Sequence, residues 1–308
     1  MIVSDSDGAA VAAEAATRLQ TLPDEARRFS ATAEHAARAY GLDLGVLDHA
    51  LRAGLSCRDN GTLRDTWVDP YDVHFIATRV AARRHRGGQA GELNATVTPV
   101  RVEYRIRRQR QLTGTALCSV LTLNQNRTEI AIDASTSVLW RGIVTQRGYV
   151  EAGRVIIPDT ARAILARAAE IEHRFMPPEA RGNADLVRTA GIGDCTTVAA
   201  LVCEELTNAG VTARPAYGLL LAEPMSSTHS WIELWVGDTW LPVDPVMQGL
   251  ARRYRPGAAG LDVSQPIRGR VCRLTSEPAP IVVMSGQPLP VSFPSATGQT
   301  TGQISESA

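Results

Sequence analysis

Residues 191–245 read GIGDC, then TTVAALVCEELTNAG, then VTARPAYGLLLAEPMSST, then HSWIELWVGDTWLPVDP. A glycine-flexed turn, Gly191 to Gly193, runs into Asp194 and Cys195. Beyond it Ala199, Val202, Cys203 and Leu206 recur at three- and four-residue steps. That spacing predicts a helix with one buried face, and Asn208-Ala209-Gly210 supplies its stop. Asp194 is suited to accept from first-turn amides as an N-cap, so Cys195 falls in the first turn. There the unpaired N–H groups and the positive end of the helix dipole favour an anion, which raises a cysteine's thiolate fraction.

The next segment can be paired by counting. Gly237-Asp238 is a two-residue turn signal between two aromatic and β-branched runs. A hairpin closed there pairs Val236 with Thr239, Trp235 with Trp240, Glu233 with Pro242 and Trp231 with Asp244. Side chains alternate along a strand, so His229, Trp231, Glu233 and Trp235 share one face. His229 and Asp244 are then diagonal neighbours, within reach of a hydrogen bond between side chains. Pro242 donates nothing to a ladder, which predicts an edge or a bulge at its half of the hairpin.

Three motifs in this order, Gly193-Asp194-Cys195, His229-Ser230-Trp231-Ile232-Glu233 and Trp240-Leu241-Pro242-Val243-Asp244-Pro245, resemble those of the transglutaminase-like superfamily of papain-fold cysteine enzymes. The resemblance covers about the last 130 residues before the C-terminal tail. It implies an α+β fold with a papain-like core, in which the nucleophile helix packs on an antiparallel sheet. It also implies roles: Cys195 as nucleophile, His229 as base and acid, and Asp244 as the carboxylate that orients the imidazole. Asp194, Trp231, Glu233 and Trp240 become candidates for substrate binding or support of the site. Met alone, a cysteine in an apolar helix, a His-Trp strand and an Asp-Pro after a strand are each ordinary features of packing and turns. Their order and shared parity carry the functional reading. Cys203, on the apolar face of the same helix, reads as core.

Around this stretch the 308 residues divide into four segments: 1–93, mostly helical; 94–157, β-rich; 158–290, the transglutaminase-like core; and 291–308, a disordered polar tail. In the first, Pro23-Asp24-Glu25 reads as a helix start, Gly41 as a stop, and 42–51 as a further amphipathic helix, followed by a loop from Ser56 to Tyr71. In the second, Val100, Val102, Tyr104 and Ile106 alternate with charged residues, and strands are expected near 115–123 and 129–132. In the third, Pro158-Asp159 opens a helix expected to run to about Phe175. Residues 179–190 read as an approach loop, and short strands are expected near 269–274 and 281–284.

Composition narrows the function. A net charge of zero argues against bulk nucleic-acid binding. Every basic residue is an arginine, so the protein offers no lysine amine of its own for cross-linking. The five cysteines, Cys57, Cys118, Cys195, Cys203 and Cys272, are odd in number and contain no CxxC pair, which suggests neither a disulfide framework nor a zinc site. No basic region precedes an apolar one at the N-terminus, and no run approaches the ~18 apolar residues of a membrane span. A cytoplasmic enzyme with a reduced thiol is expected, with no metal, no cofactor, no nucleic acid and no membrane partner. Arginines from Arg79 through Arg110 read as a solvated strand face or, alternatively, as a docking patch for an acidic partner.

A thiolate paired to an imidazole attacks an acyl carbon and passes the acyl group on through a thioester. The leading expectation is amide-bond formation from an amide or thioester donor, carried by a small molecule, a peptide or a carrier protein, to an amine, as in natural-product amide synthases of the superfamily. A cysteine peptidase or amidase is the alternative. A catalytically silent binding module is the second. One oxyanion donor is the Cys195 backbone N–H. No Trp or Gln lies between Arg181 and Asp194 to act as the other, and the calcium-binding loops of animal transglutaminases are not recognisable.

Overall fold

The computed structural model describes residues 5–58, 62–84, 100–106, 115–122, 126–133, 140–144, 156–221, 225–254, 260, 262–267 and 270–297. In chain order the elements are α1 (Asp5–Leu19), β1 (Ala31–Thr32), α2 (Ala33–Tyr40), α3 (Leu44–Arg52), β2 (Cys57–Arg58), β3 (Trp67–Val68), α4 (Pro70–Arg84), β4 (Val100–Ile106), β5 (Thr115–Leu121), β6 (Arg127–Asp133) and β7 (Trp140–Val144). There follow α5 (Asp159–Ala168), β8 (Glu172–His173), α6 (Ala184–Ala190), β9 (Ile192–Gly193), α7 (Cys195–Asn208), β10 (Ala213–Leu220), β11 (Met225–Val236), β12 (Thr239–Val243), α8 (Pro245–Tyr254), β13 (Val271–Thr275), β14 (Val282–Met284), β15 (Gln287–Pro288) and β16 (Val291–Thr297). The fold is α+β, of helices and sheets that are antiparallel apart from one two-stranded parallel pair.

The chain forms two compact units, each assembled from separated stretches: 1–90, 158–209 and 244–264 in one, 91–157, 210–243 and 265–308 in the other. All the named helices lie in the first, and the long strands lie in the second. Among the described residues no helix is long and apolar enough to cross a membrane.

In the helical unit, α1 presents Ala12, Ala15, Ala16 and Leu19 on one fully buried stripe. The small side chains let it lie close against α3 and α4. Thr32 and Asp43 cap α2 and α3 through their side-chain oxygens, and Gly41, at φ 63°, ends α2 as expected. Pro23-Asp24-Glu25 starts only a short 3-10 turn, Asp24–Ala26. The stretch expected to be a loop from Ser56 contains β2 and β3, which join β1 in a three-stranded sheet. The helix opened by Asp159 ends at Ala168 and not near Phe175. Residues 172–174 are instead drawn out straight by a parallel ladder in which Glu172 pairs with Ile192 and His173 with Gly193. The approach loop holds a helix, α6, capped by Asn183 at one end and by Gly191, at φ 64°, at the other. Seven residues are too few to show a helical period in sequence.

In the sheet unit, β11 is the spine. One edge pairs with β10 along its length, while the other pairs with β16 near Met225 and with β12 from Ile232 onward. A seven-stranded sheet in the order β13-β10-β11-β16-β4-β7, with β12 as a branch, accompanies a four-stranded one, β15-β14-β5-β6. Val102 and Tyr104 of β4 join Cys118, Val120, Leu219, Leu274, Val282 and Phe293 in one core, as the alternation in β4 predicts. The expected tail is corrected in part: residues 291–297 form β16, bonded to both β4 and β11, and residues 298–308 lie outside the described set. The arginine cluster is corrected at its first member. Arg79 is not solvated but only 1% exposed, ion-paired to Glu172. Arg105 is exposed and pairs with Glu103 at 3.0 Å, and residues 85–99 and 107–110 lie outside the described set.

Candidate active site

The approach to Cys195 is fixed from behind. Glu172 N–H donates to Gly191 O at 2.8 Å and Arg174 N–H to Gly193 O at 3.0 Å, so the two residues before the cap run as a strand. A Cβ on Gly193 would fall 2.6 Å from Val187 Cγ2, which explains the glycine there. Asp194 then caps α7. Its Oδ1 accepts from Thr196 N at 3.0 Å and Thr197 N at 2.9 Å, and its Oδ2 accepts from the Thr197 hydroxyl at 2.9 Å. Thr197 Oγ1 in turn accepts from Gly182 N at 3.0 Å. Cys195 is the first helical residue and half-buried, at the helix end that favours an anion. Ala199, Val202, Cys203 and Leu206 are all buried, so Cys203 belongs to the core. Of the other thiols, Cys57 is exposed and Cys118 and Cys272 lie in the sheet unit. Burial pushes Cys118 up from its ordinary value and Cys272 up to about 11, so both are held as thiols.

The hairpin keeps most of its counted register. Val236–Thr239, Trp235–Trp240 and Glu233–Pro242 pair, around a turn with Gly237 at φ 61°. The ladder closes at Ile232–Val243, so the expected Trp231–Asp244 pair does not form. Asp244 leaves the strand to open α8: its Oδ1 accepts from Met247 N at 3.0 Å and its carbonyl from Gln248 N at 3.1 Å, with Pro245 as first helical residue. An aspartate followed by proline is a strong helix start, and that preference wins over one more rung of sheet. Among the described residues, the strand that holds Pro242 pairs only with β11, the edge position its missing N–H requires.

His229 lies in β11 opposite Gly218, Trp231 opposite Ala216 and Glu233 opposite Arg214, so the three share a face as the parity predicts. His229 is buried, and Trp231 packs with Ala216, Ile267 and Val271. Glu233 accepts from Arg214 Nε at 2.8 Å and has Arg273 Nε at 3.5 Å. The Arg214 guanidinium stacks 3.9 Å over the ring of Trp240, which meets Trp235 edge-on at 5.1 Å. Glu233 and Trp240 are thus two parts of one ion-paired, stacked cluster. Parity could have found Arg214, which faces Glu233 across the ladder, whereas Arg273 comes from a strand that sequence does not align.

Asp194 and Cys195 are therefore joined in one helix turn, and Trp231, Glu233 and Trp240 on one sheet. Of the candidate catalytic residues, Cys195 and Asp244 belong to the helical unit and His229 to the sheet unit. Among the described residues no group of three or more His, Cys, Asp or Glu side chains could hold a metal ion.

A capped helix opened by a half-buried cysteine, beside a parallel two-residue strand, is a candidate nucleophile turn in an α+β chain. Residues 157–245, which span α5 to the start of α8 and include every site candidate, match the family model of the transglutaminase-like superfamily. Among solved structures, a protein from Cytophaga hutchinsonii provisionally named a cysteine protease, solved to 1.9 Å, matches at 12% identity with a TM-score of 0.33, over 68% of this chain and 88% of that one. The likeness is too distant to bear on fold or activity. No curated protein matches the chain.

Proposed function

We propose that the protein is a cysteine acyl-transfer enzyme with Cys195 as nucleophile, His229 as base and acid, and Asp244 as the carboxylate that holds the imidazole in one tautomer. The Cys195 thiolate attacks the carbonyl carbon of an amide or thioester donor. A carbon–sulfur bond forms, and the bond to the leaving amine or thiol breaks as His229 returns a proton to it. An amine then attacks the thioester, His229 takes its proton, and the thiolate departs, leaving an amide. The donor is a small molecule, a peptide or a carrier-bound acyl group. The observation that carries this reading is the Asp194 cap, which makes Cys195 the first residue of α7 within the segment matching the superfamily.

The test is the pH dependence of iodoacetamide alkylation at each cysteine, read by peptide mass spectrometry in the parent and in His229→Ala. It is followed by incubation with a small acyl thioester, with and without an amine. Cys195 labels fast well below ~8.5, the ordinary thiol value, and loses that advantage without His229. It then carries an acyl adduct that the amine discharges as an amide. Discharge by water alone, with the amine ignored, would replace acyl transfer by the peptidase or amidase reading. A Cys195 no more reactive than exposed Cys57 would leave a binding module.

A further inference from the structure

Residues 169–174 of the helical unit are gripped from two directions. From one, α8 arrives: Gly249 lies so close that a Cβ there would fall 2.1 Å from Ala169 O. One turn further, Arg252 Nη2 donates to Glu170 Oε1 at 2.7 Å, Arg253 Nη2 donates to Glu170 Oε2 at 2.8 Å, and Arg253 Nη1 donates to Glu172. From the other, the same segment feeds the nucleophile turn, through Glu172 N–H to Gly191 O and Arg174 N–H to Gly193 O. One short strand thus touches both the helix that Asp244 opens and the chain that delivers Cys195.

The side chains of that strand are clamped by buried charge. Glu172, 2% exposed, is paired with Arg79 as well as Arg253. Arg174 forks onto Asp72 Oδ1 at 2.6 Å and Asp69 Oδ2 at 2.8 Å, both carboxylates fully buried, and Arg27 Nε holds the far oxygen of Asp72 at 2.9 Å. Burial raises the Asp72 carboxyl against the pull of Arg174, a sign that desolvation is being spent here. Apolar residues of like volume would stabilise such a segment as well or better, and fixing a unique register is the best-attested return on a buried ion pair.

We propose that Glu172, acting through Arg253, is a positioning residue: it holds the Asp244-bearing helix in register with the Cys195 turn. This rests on reading Cys195, His229 and Asp244 as the reacting groups. Arg253 is the informative residue to change, because its side chain is partly exposed and Glu172 keeps Arg79 when it is gone.

The experiment compares the full-length parent, Arg253→Gln, Arg253→Lys and Glu172→Gln. Melting temperature and far-UV circular dichroism report the fold, and iodoacetamide labelling of Cys195 relative to Cys57 across pH reports the site. In Arg253→Gln the fold is kept while the Cys195/Cys57 labelling ratio at neutral pH falls by about tenfold, the change in thiolate fraction for one pKa unit. Arg253→Lys, which restores the charge, recovers most of the ratio, and Glu172→Gln, if folded, loses it as well. Should Glu172→Gln not fold, Arg253→Gln decides. A lowered melting temperature with an unchanged ratio makes the pair merely structural and overturns the proposal. A parent whose Cys195 labels no faster than Cys57 is a different failure, of the site reading itself, and takes this inference with it.

Discussion

Replacing Thr197 by valine probes the turn that carries the nucleophile without touching Cys195. The Thr197 hydroxyl, in a buried residue, donates to Asp194 Oδ2 at 2.9 Å and accepts from Gly182 N at 3.0 Å. Valine matches its shape and nearly its helix propensity, so the loss is that of the hydroxyl. A hydrogen bond to a charged acceptor is worth about 1.5–3 kcal/mol, whereas Gly182 is exposed and its N–H can turn to water instead. The loss, about 1.5–3 kcal/mol, should appear as easier opening of the first turn of α7. Hydrogen exchange of peptides spanning 182–202 then accelerates about 10- to 140-fold for amides that exchange through local opening, at about 1.4 kcal/mol per tenfold. Asp194→Ala alone loses the cap, about 1 kcal/mol, together with the same hydroxyl contact. In the double variant that contact can be lost only once, so the two changes couple by about 1–3 kcal/mol. Acceleration below about threefold, or effects that simply add, would refute the reasoning that Thr197 braces the cap.

Two further outcomes follow from geometry. Gly249→Ala drives a methyl against Ala169 O, 2.1 Å from its built position, so α8 must shift. Overpacking of this kind costs about 1–3 kcal/mol, and the melting temperature falls measurably; an unchanged value would show that α8 is not seated on that carbonyl. His74 packs on Tyr40 at 5.0 Å and Phe175 at 4.9 Å, and burial, then His173 and Arg79, lower its pKa from 6.5 to about 4. Between those values the unfolded chain binds a proton that the folded one refuses, so stability is level above pH 6.5 and falls as pH drops towards 4. The loss is at most about 3 kcal/mol, and nearer 1–2 kcal/mol with partial solvent contact. His74→Phe should flatten melting temperature over that window, and a slope equal to the parent's would place the acid sensitivity elsewhere.

What could be seen in the sequence were local features that agree with one another. Asp194, Cys195 and the 199–206 stripe all point to one helix start, and the helix begins there. Counting from Gly237-Asp238 gives the hairpin because a two-residue turn leaves no freedom in register. The count fails one rung further on, at Trp231 and Asp244, where Pro245 starts a helix, and parity alone cannot say when a strand gives way to a cap. Residues 291–297 escape for the opposite reason. VSFPSAT carries little apolar character of its own and becomes a strand because β4 and β11 offer unpaired edges to it.

The buried ion cluster was beyond any local reading, and the absence of lysine makes it more informative. Arg79 opens what reads as a solvated basic run, yet its carboxylate partner lies 93 residues away, on a strand too short to show a pattern. Arg174 holds two aspartates more than 100 residues distant, at separations of 102 and 105. In a chain whose basic residues are all arginine, an arginine carries no signal of being chosen for its fork. Only the structure shows that Arg174 uses the fork's geometry, with Nε on Asp72 and Nη2 on Asp69, an arrangement that a lysine's single ammonium cannot reproduce. The backbone of the same residue holds Gly193 O, so a long-range clamp that no motif records ends at the turn where the motif is plainest.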